Sequence, residues 1–427
     1  MQILVLGSGA REHALAWRLA RDEAVRRVRI APGNAGTAAV ADPVEDLDPL
    51  DAVAVARHAA RERYDLVVIG PEGPLAAGVA DALVTASVPV FGPGRAAARL
   101  ETSKVFAKEV MARAGVATAA SASFRDADAA LAYARRQDQP PVVKADGLAA
   151  GKGVVVPDSL EEAEAAINAQ LAGPAAEGGV VLEERLAGRE VSAFALISGE
   201  AVVPLASACD YKRLGDDDSG PNTGGMGAYS PVPWFGLGEL ETAVAEVFEP
   251  VAWRLARDGT PYRGVLYAGV MLTAQGPMVL EFNARFGDPE AQVVLPLLDG
   301  EMANALLGVA RGERGLMEGS LAPRPGAAVG VVLASDGYPE APQVGRPLTG
   351  AEPAGPDDAG PLLCFHAATR RGEGGVATTG GRVATFVGLG DDLPAARTTA
   401  YAGVGAASLE GGQLRHDIAA REVEPSS

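Results

Sequence analysis

Apolar residues in the first hundred positions follow two periods. Ile3-Leu4-Val5-Leu6, Leu66-Val67-Val68-Ile69 and Val90-Phe91 are short continuous runs, each closed by a glycine. Positions 11–20 and 49–63 instead repeat their apolar residues at helical spacing. The pattern predicts strands over "QILVLGSG", "VRRVRIAPG", "DLVVIGPEG" and "VPVFGPG", with helices over "REHALAWRLA" and "PLDAVAVARHAARER". Strands alternating with helices predict a parallel, Rossmann-like sheet over residues 1–102. Ligands on such sheets bind outside the carboxyl ends of the strands. Three glycine-rich turns fall there: Gly7-Ser8-Gly9, "PGNAGT" (32–37) and "GPEGPLAAG" (70–78). The first resembles a dinucleotide turn, but Glu12 stands where the third glycine belongs. "PGNAGT" suits an anion better. Gly33 and Gly36 permit a backbone nest, and Asn34 and Thr37 add donors. An ordinary turn is the alternative at each place.

A helix is predicted over 103–114, capped by Ser103 and stopped by Gly115. Lys104 lies in its first turn, where the helix dipole disfavours a cation unless an anion also sits there. Residues 118–190 read as a small α+β unit. Inside it, "VVKADGLAAGKGVVV" (142–156) nearly matches a phosphate-binding P-loop, but one residue is missing and Gly153 replaces the metal-binding hydroxyl. β-Branched runs on both sides make the loop the tip of a hairpin rather than a strand-to-helix turn. Helix resumes only at "DSLEEAEAAINAQL", where Ser159 and Glu162 have capping-box spacing. The free N–H groups of Gly151 and Gly153 could close over a phosphate, with Lys152 at the tip and Lys144 on the incoming strand; a glycine-alanine turn with a solvated lysine is the alternative. Glu183 and Glu184 end a further strand. Glu190 begins the next, on one face with Ser192, where its carboxylate could accept a ribose hydroxyl pair.

"DYKRLGDDDSGPNTGGMGAYSP" (210–231) is glycine-rich and too long for an idle connection. Asp210, Lys212, Asn222 and Thr223 mark it as functional. Two strands follow within 264–296, turning at Gln275-Gly276, and the second ends in Glu281-Phe282-Asn283-Ala284-Arg285. Glu281 and Asn283 share a face and offer the hard oxygens Mg²⁺ prefers. Arg285 continues that face. Residues 323–427 read as a small β-rich terminal domain with one late helix and no convincing catalytic group.

Composition narrows the class. The chain has 427 residues, 48% hydrophobic and 22% charged, with a formal net charge of −18. Two to four globular domains are expected. The acidic balance argues against nucleic acid as a partner. Any anionic ligand must be held by local cations and backbone amides. Cys209 and Cys364 have no C-x-x-C spacing, which points to free thiols in a reducing cytoplasm. His13, His58, His366 and His416 show no metal spacing. No apolar run is long enough to span a membrane, and the first residues do not form a signal peptide.

The order of these features resembles the ATP-grasp enzymes, and within them the phosphoribosylamine–glycine ligase family. "GSGAREHAL", "PGNAGT", "GPEGPLAAG", "KADGLAAGKGV", "EERLAGREVS", "DYKRLGDDDSGPNTGGMGAYSP" and "EFNARFGDPE" carry the resemblance across essentially the whole chain. It implies an α/β multidomain fold: a Rossmann-like domain (1–102), an ATP-grasp domain (103–322) with a mobile subdomain (118–190), and a C-terminal domain (323–427). It implies a ligase joining 5-phosphoribosylamine and glycine through glycyl phosphate, with ATP as substrate and Mg²⁺ or Mn²⁺ on Glu281 and Asn283. Lys104, Lys144, Gly151, Lys152 and Gly153 would hold phosphates. Glu183, Glu184 and Leu186 would meet adenine, and Glu190 the ribose. Arg285 would stabilise the acyl phosphate, with Lys144 also catalytic, and Asp210 would take the glycine ammonium. Gly9, Gly33, Asn34, Gly36, Thr37 and Glu72 would receive the phosphoribosyl group. Lys212, Asn222, Thr223, Gly224, Gly225 and Asp288 would line the substrate site. A monomer or weak homodimer is expected. Many ATP-grasp enzymes carry another acidic metal ligand on the preceding strand, but "VLYAGVML" has none. The rival readings are another ATP-grasp ligase or carboxylase, a nicotinamide oxidoreductase and a non-enzymatic nucleotide sensor.

Overall fold

The computed structural model describes residues 1–148, 153–173, 178–358 and 360–423. Gly151 and Lys152 therefore lie outside the described residues. The chain opens with a five-stranded sheet in the order Asp42–Pro43, Arg27–Pro32, Gln2–Gly7, Leu66–Ile69, Val90–Phe91, and every pairing is parallel. Leu66–Ile69 is buried throughout, which explains its unbroken apolar run. The connectivity reverses between Gln2–Gly7 and Leu66–Ile69, so the switch-point crevice opens at Gly7-Ser8-Gly9 and Gly70-Pro71-Glu72. The third glycine of a dinucleotide turn is not merely replaced. Glu12 folds back, and its carboxylate accepts the Gly9 N–H at 2.6 Å.

A second sheet has the antiparallel order Ser121–Phe124, Val180–Glu183, Val142–Ala145, Val154–Val155. Helices Ala127–Ala134 and Leu160–Ala172 pack together against it around Val143, Ile167 and Leu182. Lys144 pairs with Val154, so Val142–Ala145 and Val154–Val155 run antiparallel side by side, as the flanking runs predict.

The central sheet has eight strands: Gly276–Asn283, Arg263–Thr273, Arg189–Ser198, Ala201–Asp210, Gly227–Ser230, Ala327–Ala334, Arg382–Gly390 and Leu362–His366. Strands from either side of position 323 pair directly, Gly227–Ser230 against Ala327–Ala334. The carboxy-terminal segment thus extends the central sheet, and helix Leu393–Ala406 packs over that extension.

The 210–231 stretch is not an irregular loop. Arg213–Gly215 pairs with Ser219–Asn222 as a small hairpin. The carboxy-terminal segment latches it: Arg415 and Arg421 both bind Asp218 at 2.9 Å, and the His416 N–H reaches Asp216 at 2.7 Å.

Candidate active site

The edges of the three sheets enclose a cleft of about 950 Å³. One wall is the amino-terminal end of helix Lys104–Ala114, where Ser103 caps the helix through the Phe106 N–H. Lys104 Nζ lies 3.4 Å from the Gly147 carbonyl. Burial lowers its pKa, and Glu281 opposes that shift. One turn later, Lys108 reaches Glu183 at 3.3 Å. Glu183 also binds Lys144 at 3.0 Å, and Lys144 donates to the Leu280 carbonyl at 2.9 Å. Lys108 escaped the sequence reading, although its spacing from Lys104 puts both on one helix face. Gly153 lines the cleft beside Val154. Glu184 and Leu186 line it just past the strand that ends at Glu183.

The opposite wall is strand Gly276–Asn283. Glu281 lies opposite Gly269 on the neighbouring strand. Among the described residues neither the Glu281 carboxylate nor the Asn283 amide has an ion pair or hydrogen bond, and both line the cleft. Burial would raise the Glu281 pKa, but Lys212, Lys144, Lys104 and Arg285 together hold it below the usual range. An ionised carboxylate and an open amide oxygen form a hard donor pair. Such a pair fits a divalent cation whose remaining positions are filled by phosphate oxygens and water.

Arg285 lies at the end of this strand. Its guanidinium binds Glu101 at 2.9 Å and Glu72 at 3.2 Å, and donates to the Phe286 carbonyl at 3.1 Å. The other Glu101 oxygen accepts the Ala284 N–H at 2.8 Å. Glu101 was not legible as a site residue, because nothing in "RLETSK" separates it from a solvated helix glutamate.

Lys212 binds Glu190 directly and stands 4.0 Å from Asp210. The carboxylate expected to meet a ribose is therefore ion-paired here. Asn222 donates to the Val154 carbonyl at 3.1 Å, joining the hairpin to the flap strand. Thr223, Gly224 and Gly225 have their polar groups engaged within the protein. The Thr223 hydroxyl bridges the Lys212 carbonyl and the Gly225 N–H, and the Gly224 N–H donates to the Tyr338 hydroxyl. Arg382 binds the Gly224 carbonyl at 2.6 Å, the Asp288 carbonyl at 2.8 Å and the Asp288 carboxylate at 3.0 Å. The terminal segment read as lacking site groups thus supplies Arg382 and Tyr338 to the cleft.

The "PGNAGT" turn is likewise self-satisfied. Asn34 Oδ1 accepts the N–H groups of Gly36 and Thr37, and its amide donates to the carbonyls of Ser8 and His366. Thr37 closes the turn by accepting the Asn34 N–H, with Gly33 at φ +79°. Gly9 adjoins the Asp288 carboxylate, which links this crevice to the main cleft.

Family models match in chain order: the phosphoribosylglycinamide synthetase N domain over residues 1–101, its ATP-grasp (A) domain over 102–291 and its C domain over 328–421. A phosphoribosylamine–glycine ligase of Streptomyces coelicolor is 49% identical over 424 residues, covering 99% of each chain. One of Mycobacterium tuberculosis is 47% identical over 432 residues, again covering 99% of each. The crystal structure of a phosphoribosylamine–glycine ligase from Thermotoga maritima superposes with a TM-score of 0.82 at 36% identity, over 98% of this chain and 100% of that one. A biotin carboxylase from Campylobacter jejuni shares the fold at TM-score 0.72 and 15% identity, over 97% of this chain and 92% of that one. The chain belongs to the phosphoribosylamine–glycine ligase family, ATP-dependent ligases that join 5-phosphoribosylamine to glycine in purine biosynthesis.

Proposed function

We propose that the cleft carries out this ligation with the following division of labour. One observation supports it above the others: Lys104 and Lys144 face the unpartnered pair Glu281 and Asn283 across a single cleft that ends at Arg285. Lys104 and Lys144 hold the ATP phosphates, beneath the hairpin that contains Gly153. Lys108 and Glu183 fix the position of Lys144. Glu184 and Leu186 border the adenine, and Glu190 exchanges Lys212 for the ribose hydroxyls. Glu281 and Asn283 hold Mg²⁺, with Mn²⁺ as a substitute; when bound, the metal neutralises phosphate charge.

A carboxylate is a poor electrophile, so a glycine oxygen first attacks the γ-phosphorus. The bond to the ADP oxygen breaks and glycyl phosphate forms. The amine of phosphoribosylamine then attacks the acyl carbon, phosphate departs with the C–O electron pair, and the amine loses a proton. Arg285 faces the oxygens on which charge develops. Glu72 and Glu101 hold its planar fork and thereby fix its orientation. Asp288, gripped by Arg382, and the Gly9 crevice border the phosphoribosyl group. The internally bonded "PGNAGT" turn shapes that crevice through its backbone. The enzyme works in the cytoplasm as a monomer or weak homodimer.

The test is release of ADP and phosphate with glycine and phosphoribosylamine supplied singly and together. Release that requires both substrates supports the reading. Release independent of glycine, or driven by bicarbonate, overturns it.

A further inference from the structure

Charges in the cleft are nearly all matched. Glu183 meets Lys108 and Lys144, Glu72 and Glu101 meet Arg285, Asp288 meets Arg382, and Glu190 meets Lys212. Glu281 stands open toward the metal position. Glu290 is a different kind of exception. It begins helix Glu290–Val294, lines the cleft and is only 4% exposed. Its carboxylate accepts the Ser192 hydroxyl at 3.2 Å, and among the described residues no lysine or arginine reaches ion-pair distance. Burial raises its pKa; its own backbone N–H opposes that most, and Lys212 and Arg285 oppose it from beyond ion-pair distance. A carboxylate buried without a counter-ion is costly unless it takes a proton or a cationic ligand.

The surroundings identify the ligand. Ser192 pairs with Ala208 in the central sheet, so residues 190, 192, 208 and 210 share the face on which the Glu290 helix packs. Asp210 is on that face, close enough for Glu290 to raise its pKa further after burial has raised it, although Lys212 opposes the shift. Arg285 is the nearby guanidinium. A zwitterion with its charges one carbon apart would set its carboxylate toward Arg285 and its ammonium toward the carboxylates. Glycine is such a molecule.

We propose that Glu290, oriented by Ser192 and assisted by Asp210, is the residue that recognises the ammonium of glycine; this rests on the ligase reading above. Gly287 supports the arrangement, because a Cβ there would stand 2.5 Å from Glu290 Oε2 and displace the carboxylate.

Glu290→Gln keeps the shape and removes the charge. The glycine KM should rise at least about 30-fold, while the KM values for ATP and phosphoribosylamine stay within about threefold and Tm is retained. Calorimetry with a non-hydrolysable ATP analogue gives a second readout. Wild-type protein should bind glycine far more tightly than glycolate, which has a hydroxyl in place of the ammonium. In Glu290→Gln that preference should vanish, a change that lost packing alone would not cause. Ser192→Ala should raise the glycine KM at least about 10-fold, the loss of one hydrogen bond to a charged group, and it keeps the proposal testable if Glu290→Gln fails to fold. An unchanged glycine KM in either folded variant, or a rise confined to phosphoribosylamine, overturns the proposal. Wild-type protein without glycine-dependent ADP release would instead overturn the ligase reading itself.

Discussion

Replacing Arg285 with alanine has two effects of similar size, and they can be separated. If the guanidinium stabilises charge developing on the acyl oxygens, its loss should lower kcat by about 10²–10³, or roughly 3–4 kcal/mol. The second effect is on stability. Arg285 is the partner of Glu101, whose side chain is only 6% exposed, at 2.9 Å. An uncompensated buried carboxylate of this kind costs about 3–5 kcal/mol. Glu72, with 32% of its side chain exposed, adds at most about 1 kcal/mol. A single Arg285→Ala variant should therefore lose both turnover and Tm. Adding Glu101→Gln removes the orphaned charge and keeps an acceptor for the Ala284 N–H. The double variant should recover most of the lost Tm and none of the lost kcat. The assay is ADP release at saturating ATP, glycine and phosphoribosylamine, beside thermal melts of wild type and both variants. A double variant whose kcat returns to within about threefold of wild type together with its Tm would refute the catalytic role and leave Arg285 as a structural ion pair.

Glu281→Gln combined with Asn283→Ala should abolish turnover without lowering Tm; unchanged activity across a magnesium titration would remove both from the metal site. Arg382→Ala strips the Gly224 and Asp288 carbonyls of a donor and the Asp288 carboxylate of its cation, so about 3–5 kcal/mol of stability should be lost and the KM for phosphoribosylamine should rise. Arg382→Lys should restore part of the Asp288 pairing but not the fork, and equal activity in wild type and both variants would show the contact to be idle. His13 is buried beside His366 and its pKa is lowered from 6.5 to about 3, chiefly by burial. Between those values the unfolded chain binds a proton that the folded chain refuses. Stability should thus fall as pH falls across that window, by up to about 1.4 kcal/mol per pH unit. Denaturant titrations from pH 6.5 to 4 check this, and an undiminished slope in His13→Phe would assign the effect elsewhere.

The elements that were legible in the sequence are those whose local pattern and tertiary setting agree. Leu66–Ile69 is apolar throughout because both faces are buried, and helix Lys104–Ala114 has both its Ser103 cap and its Gly115 stop. The hairpin at 213–222 was hidden because "RLG" and "SGPN" carry little β propensity. Its pairing is secured by Arg415, His416 and Arg421, some two hundred residues later. Arg382 and Tyr338 were hidden for a related reason: only the order of the central sheet brings them to the cleft. At "PGNAGT" the residue types suit an anion nest and a self-bonded turn equally, and no sequence pattern announces which internal hydrogen bonds Asn34 and Thr37 make. Glu190 shows the same limit, since no sequence pattern announces that Lys212 will bind it.

The unbroken central sheet has a mechanical consequence. Its ladder runs from Gly276–Asn283 to Leu362–His366 across the junction between the ATP-grasp and terminal segments. Flexing there would tear strand pairings, so this side of the cleft acts as a fixed jaw. The four-stranded sheet carrying Lys144 forms the other jaw and shares no strand with it. Lys144 bonds to both, through Glu183 on its own sheet and the Leu280 carbonyl on the other. That lysine doubles as the clasp, so a change that loosens its hold on Leu280 should alter how often the jaws meet before it alters the chemistry between them.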